Sequence, residues 1–83
     1  MSPDEIILVE TCSSCPEQYD AKDKGGNMLG YLRLRWGTFT VECPDVGGEI
    51  VYWAEPDGDG SFHDYERDMY LSRAKAAIAD YWT

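Results

Sequence analysis

The sequence predicts an α+β domain, an antiparallel β-meander of four to five strands with one C-terminal helix packed on the sheet. Three observations carry this. The run Gly30–Cys43 alternates apolar and polar residues around a central Gly, the pattern of a hairpin. Glycine-containing breaks, two of them also holding proline and aspartate, punctuate residues 24–60 at short intervals. From residue 62 the apolar spacing changes to that of one amphipathic helix. One domain spans 1–83, with strands over about 5–55 and the helix over about 62–80.

The elements follow in order. Ile6, Ile7, Leu8 and Val9 form a β-rich run, the first strand. Residues 17–23 alternate weakly and lead into the turn Lys24-Gly25-Gly26-Asn27. In the central hairpin Leu32, Leu34 and Trp36 share one face, and Tyr31, Arg33 and Arg35 share the other. A type II′ turn at Gly37-Thr38 pairs Trp36 with Phe39, Leu34 with Val41 and Leu32 with Cys43. The opposite face then pairs Arg33 with Glu42. Pro44 ends that strand, and Asp45-Val46-Gly47-Gly48 makes a loop. Glu49–Ala54 is a further strand, with Val51 and Trp53 alternating with Ile50 and Tyr52. After Pro56-Asp57-Gly58-Asp59-Gly60, Ser61 serves as helix N-cap with Asp64 three residues on. Leu71, Ala74, Ile78 and Tyr81 make the helix stripe that packs on the sheet, flanked by Tyr70 and Ala77.

Charge is the second strong signal. The formal net charge is -9, and Glu42–Asp68 alone holds nine carboxylates against one cation, Arg67. They are Glu42, Asp45, Glu49, Glu55, Asp57, Asp59, Asp64, Glu66 and Asp68. With 43% hydrophobic and 13% aromatic residues the chain is too apolar for a disordered acidic tail. At pI ≈ 4.2, direct binding to nucleic acid or an anionic membrane is not expected. No apolar run reaches the length of a membrane span. The opening MSPDEIILVE has no basic region before its apolar run, so it does not read as a signal peptide. Three Cys make a poor disulfide framework, and the compartment expected is the cytoplasm, with reduced thiols.

Two sets of residues have the types a metal site uses. Glu55, Asp57, Asp59, Ser61 and Glu66 fall at ligand positions of a twelve-residue loop that resembles the EF-hand calcium loop. It departs from that pattern in having Glu at the first position, Pro56 next, and a strand before it. Cys12, Cys15, Cys43 and His63 have the residue types of a structural zinc site, though only Cys12 and Cys15 are closely spaced. Neither outweighs the plain reading of turn formers and free thiols, so no cofactor is expected. Catalysis has no constellation: His63 is the lone histidine and lacks a nucleophile partner in the sequence.

The remaining chemistry is that of a binding surface. Rows of carboxylates on strands and helix turns can engage a Lys/Arg channel, with Tyr52, Trp53 and Tyr65 as aromatic contacts. The segments GYLRLRWGTFTVECPDVGGEIVY and GDGSF, with ER and YL in the helix, resemble small proteins of phages and mobile elements. The resemblance covers about residues 16–80 and carries no catalytic residue. It implies an inhibitor of host defence, of the anti-CRISPR kind that occupies the DNA site of a Cas effector. The expectation is therefore a non-enzymatic protein that binds the basic nucleic-acid-binding groove of a partner, a CRISPR effector or other host-defence nuclease, in the host cytoplasm; the alternatives are a small metal-binding domain and a protein–protein adaptor.

Overall fold

The structure, a computed structural model, describes all 83 residues. Strands β1 (Ile7–Ser13), β2 (Glu17–Lys22), β3 (Met28–Arg35), β4 (Thr38–Cys43) and β5 (Glu49–Ala54) precede helix α1 (Asp64–Tyr81). The five strands form one antiparallel sheet in chain order, so each joins the next by a short reversal. This is the α+β meander that the sequence predicts. No helix is long and apolar enough to cross a membrane.

One face of the sheet is buried under α1. Tyr19 and Ala21 of β2, Leu32 and Leu34 of β3, and Phe39, Val41 and Cys43 of β4 line it. Ala74, Ile78 and Ala79 of α1 close the core from above. Phe62, just before α1, is 3% exposed and sits edge-on to Phe39 at 5.0 Å and stacked on Tyr70 at 5.6 Å. The opposite face of the sheet has no covering element.

Several local features differ from the expectation. The β3–β4 hairpin pairs Leu34 with Phe39, Leu32 with Val41 and Arg35 with Thr38, two positions from the predicted register. The turn is Trp36-Gly37, with φ of 57° and 73°. Positive φ at both central residues is the requirement of a type I′ turn. A shift of two keeps every inward side chain inward, so apolar alternation alone cannot choose between these registers. The turn chooses: Gly37 supplies the second left-handed residue, and its N–H donates to the Asp59 carbonyl at 2.8 Å. Trp36 therefore leaves the sheet, and Arg33 faces Thr40 while Glu42 faces Tyr31. The expected Arg33–Glu42 pair does not form. Glu42 Oε1 accepts from the Gly47 N–H at 3.1 Å, and its Oε2 is buried without a partner.

In β5 a bulge intervenes, because Tyr52 pairs with Val41 but Ile50 pairs with Glu42. Val51 is the extra residue, and both it and Tyr52 pack on the core. The simple alternation expected there breaks, leaving Ile50 and Trp53 outward and each 57% exposed. Finally, α1 starts later than expected, with His63 rather than Ser61 at the N-cap. Phe62 is held in the core and its amide N–H donates to Glu17 at 2.9 Å, which delays the helical backbone. Tyr81 is 39% exposed, and Ala79 takes its expected place in the buried stripe.

Candidate functional site

The acidic segment that is continuous in sequence is divided in space. Glu49 and Glu55 bracket β5 at opposite ends, about 20 Å apart at ~3.3 Å per residue. Glu42, Asp45 and Glu49 fall towards the end carrying the β4–β5 loop. Asp45 is spent on a turn, accepting from the Val46 N–H at 2.7 Å. Asp68 lines a groove with Asp4 and Lys75, beside β1. Glu55, Asp57, Asp59 and Asp64 lie at the other end, where the β5–α1 loop meets the turns after β1 and β3.

That loop is fixed by its own backbone. Gly60 O accepts from Cys15 N at 2.9 Å and Glu17 N at 2.8 Å, tying it to the β1–β2 turn. Asp59 O accepts from Gly37, tying it to the β3–β4 turn. Gly58 is required by close approach, since a Cβ there would stand 2.0 Å from Ser61 O. The loop therefore presents Glu55, Asp57 and Asp59 outward from a braced scaffold, all exposed.

Two buried carboxylates do the bracing. Glu66 is 4% exposed and accepts from Asp57 N at 2.9 Å, Gly58 N at 2.8 Å and His63 N at 3.0 Å. Burial works against its charge, but the three backbone donors together outweigh it and hold the carboxyl below the usual range. Glu66 is thus structural rather than a contact residue. Glu17 is 1% exposed and pairs with Arg67 Nε at 3.0 Å. Arg67 Nη1 also reaches Asp64 at 2.6 Å, although the Asp64 side chain is itself 99% exposed.

Of the aromatic candidates, Tyr52 is partly buried, edge-on to Phe39 at 6.0 Å, and is not on the surface proposed for it. Trp53 is exposed on the outer sheet face. Tyr65 is 75% exposed, stacks on His63 at 5.5 Å and donates its hydroxyl to Asp57. That hydrogen bond pushes its phenol up to about 12. Sequence reasoning missed Trp36, which is 80% exposed at the hairpin tip beneath the Arg35 guanidinium at 5.7 Å.

A left-handed backbone is costly for a bulky side chain and cheap for Asn, the preferred first residue of an Asn-Gly type I′ turn. Trp36→Asn is therefore expected to raise stability by about 0.5–1 kcal/mol, read as a higher denaturation midpoint. A loss of stability would mean that Trp36 packs more than its exposure indicates.

Neither alternative metal site assembles in the fold. No three His, Cys, Asp or Glu side chains converge in a way that could hold a metal ion. Cys43 lies fully buried on the helix-facing side, its thiol pushed up to about 11 by burial, away from Cys12 and Cys15 at the exposed β1 turn and from exposed His63. For calcium, the essential last ligand Glu66 already faces three backbone donors, so Glu55, Asp57, Asp59, Ser61 and Glu66 do not form a loop of inward oxygens. No family model matches the chain, and no curated protein or solved structure shows significant similarity to it.

Proposed function

We propose that this protein is a non-enzymatic inhibitor that docks its acidic end on the basic nucleic-acid-binding groove of a partner protein. The observation that carries the reading is the braced loop presenting Glu55, Asp57 and Asp59. All three are exposed, and the only salt bridges in the molecule belong to Arg67. Fixed, unneutralised carboxylates keep their field for a partner and lose little entropy on docking. Tyr65 beside Asp57 and Trp36 near Asp59 supply the large aromatic contacts that charge does not. Glu66, Tyr52 and the far-end group Glu42, Asp45 and Glu49 drop out of the contact set. A CRISPR effector is the partner that the resemblance to small phage proteins implies.

The test is competition between this protein and target DNA for purified CRISPR effectors at two salt concentrations. Inhibition is expected to weaken ~10-fold or more between 50 and 200 mM salt, as electrostatic association does. The triple reversal Glu55→Lys, Asp57→Lys, Asp59→Lys is expected to abolish inhibition with an unchanged circular dichroism spectrum. It leaves the backbone N–H of Asp57 and carbonyl of Asp59 in place. Undiminished inhibition by that variant would overturn the reading.

A further inference from the structure

The opposite charge is concentrated where the acidic reading has no use for it. The chain has sixteen carboxylates and seven Lys or Arg, yet Arg33 and Arg35 make no ion pair. They stand two residues apart on the uncovered face of β3, so their Cα atoms lie about 6.6 Å apart. Neighbouring unpaired cations repel each other, and an anion between them relieves that. Across the hairpin, Thr40 faces Arg33 and Thr38 faces Arg35, adding two hydroxyl groups to two guanidinium groups. Guanidinium forks and hydroxyls are the donor set that phosphate oxygens accept from.

Two clefts meet at this point and share Arg35 and Trp36. One, of about 310 Å³, is completed by Arg33, Thr38 and Thr40. The other, of about 370 Å³, is completed by the Cys15–Pro16 turn, Gln18, Asp59 and Gly60. Trp36 is thus common to a cationic cleft and a neutral-to-acidic one. The only two non-glycine residues with positive φ, Cys15 at 53° and Trp36 at 57°, both line the second cleft. Strain of this kind persists where the surrounding structure imposes it, and it clusters at ligand sites.

We propose that the Trp36 ridge is a nucleotide site, with the base against the indole in the Gln18–Asp59 cleft and the phosphate on Arg33 and Arg35. Base stacking on an exposed indole is favourable for any base. The cleft's polar groups select among them. Asp59 only accepts hydrogen bonds, and Gln18, whose Oε1 accepts from Tyr31 at 2.7 Å, retains its NH₂ group to donate. A base edge with adjacent donors and an acceptor, as in guanine, fits that pair. The net charge of -9 disfavours a long polyanion, so the ligand is a single nucleotide rather than a strand. This site shares Trp36 and Asp59 with the proposed docking surface of the acidic end, but its test does not require the partner.

Calorimetric titration with GMP and with inorganic phosphate tests it. GMP is expected to saturate with Kd about 1 mM or tighter, and inorganic phosphate to bind ~10-fold more weakly or less. Trp36→Asn, expected to be more stable than the parent, should weaken GMP at least ~10-fold, and so should Arg33→Gln with Arg35→Gln. Loss of binding in a stabilised variant cannot come from unfolding. A 5′-phosphorylated single-stranded tetranucleotide separates the sources: ~10-fold tighter binding than GMP assigns the site to a strand end, and equal or weaker binding to the free nucleotide. No saturation by GMP at about 10 mM, or parent-like binding by the Trp36 and Arg33/Arg35 variants, would overturn the proposal.

Discussion

Arg67→Ala is expected to lower the folding free energy by about 3–5 kcal/mol, the cost of leaving a buried carboxylate without its counter-charge. The folding free energy expected for 83 residues is about 4–12 kcal/mol at ~0.05–0.15 kcal/mol per residue, so the loss is a large share of the total stability. The size of the effect follows from Glu17. Its side chain is 0% exposed, and it accepts from Arg67 Nε at 3.0 Å, Arg67 Nη2 at 3.3 Å and Phe62 N at 2.9 Å, besides the Tyr19 hydroxyl. The hydrogen bond to Glu17, then that to Asp64, push Arg67 above its usual value, so it stays charged at any pH where the protein folds. Arg67 Nη2 also donates to Phe62 O at 2.9 Å, so the same residue holds both sides of the chain segment that enters α1. Glu17→Leu with Arg67→Leu is expected to recover much of the loss, since neither charge then remains buried. Urea denaturation of the three variants measures this. A loss below about 1 kcal/mol for Arg67→Ala would show that water replaces the guanidinium and that the pair behaves as a surface one.

The elements that were legible in the sequence are those set by period. Leu32, Leu34, Phe39 and Val41 alternate, and all are fully buried. Ala74 and Ile78 repeat at helical spacing, and both face the sheet. What the sequence hid was governed by single hydrogen bonds rather than by period. Trp36 satisfies the inward alternation of β3 as well as Leu34 does, and only the Trp36-Gly37 turn removes it from the sheet. Glu17 was visible in principle, because Glu17, Tyr19 and Ala21 share the inward face of β2. A carboxylate on an inward stripe is a warning that a cation will come to it, but its partner lies 50 residues away, and no local pattern joins the two. Glu66 looked like one more surface charge in an acidic run, although the sequence also places it three residues after His63, the N3 position of the helix that actually forms. The candidate site was therefore legible as a charge excess only. Separating Glu66, which with Glu17 holds the loop, from Glu55, Asp57 and Asp59, which the loop displays, required the fold.

That division has an acid-dependent consequence. Glu66→Ala removes the acceptor of three N–H groups, of which Gly58 N is buried, and is expected to cost about 2–4 kcal/mol at neutral pH. Glu66→Gln should cost less, because the amide oxygen still accepts. In the folded protein the Glu66 carboxyl is held below its ordinary value, so the unfolded chain binds its proton first as pH falls. Its stabilising contribution is then complete above the unfolded pKa, about 4.3, and is lost as pH drops through the lower folded value. The stability difference between wild type and Glu66→Gln is expected to be constant from about pH 6 to 8 and to shrink below about pH 4. Taking the difference cancels acid effects that the two proteins share. A difference that stays constant or widens at low pH would sink the assignment of Glu66 as a charged anchor. Hydrogen exchange at Asp57 and Gly58 reads the same event locally, and should accelerate in Glu66→Gln before the sheet amides do, since the loop opens without unfolding β3 and β4. If the displayed carboxylates are the docking surface, affinity for the partner falls with that local opening. Loss of binding as pH falls below about 4 would then precede loss of the fold.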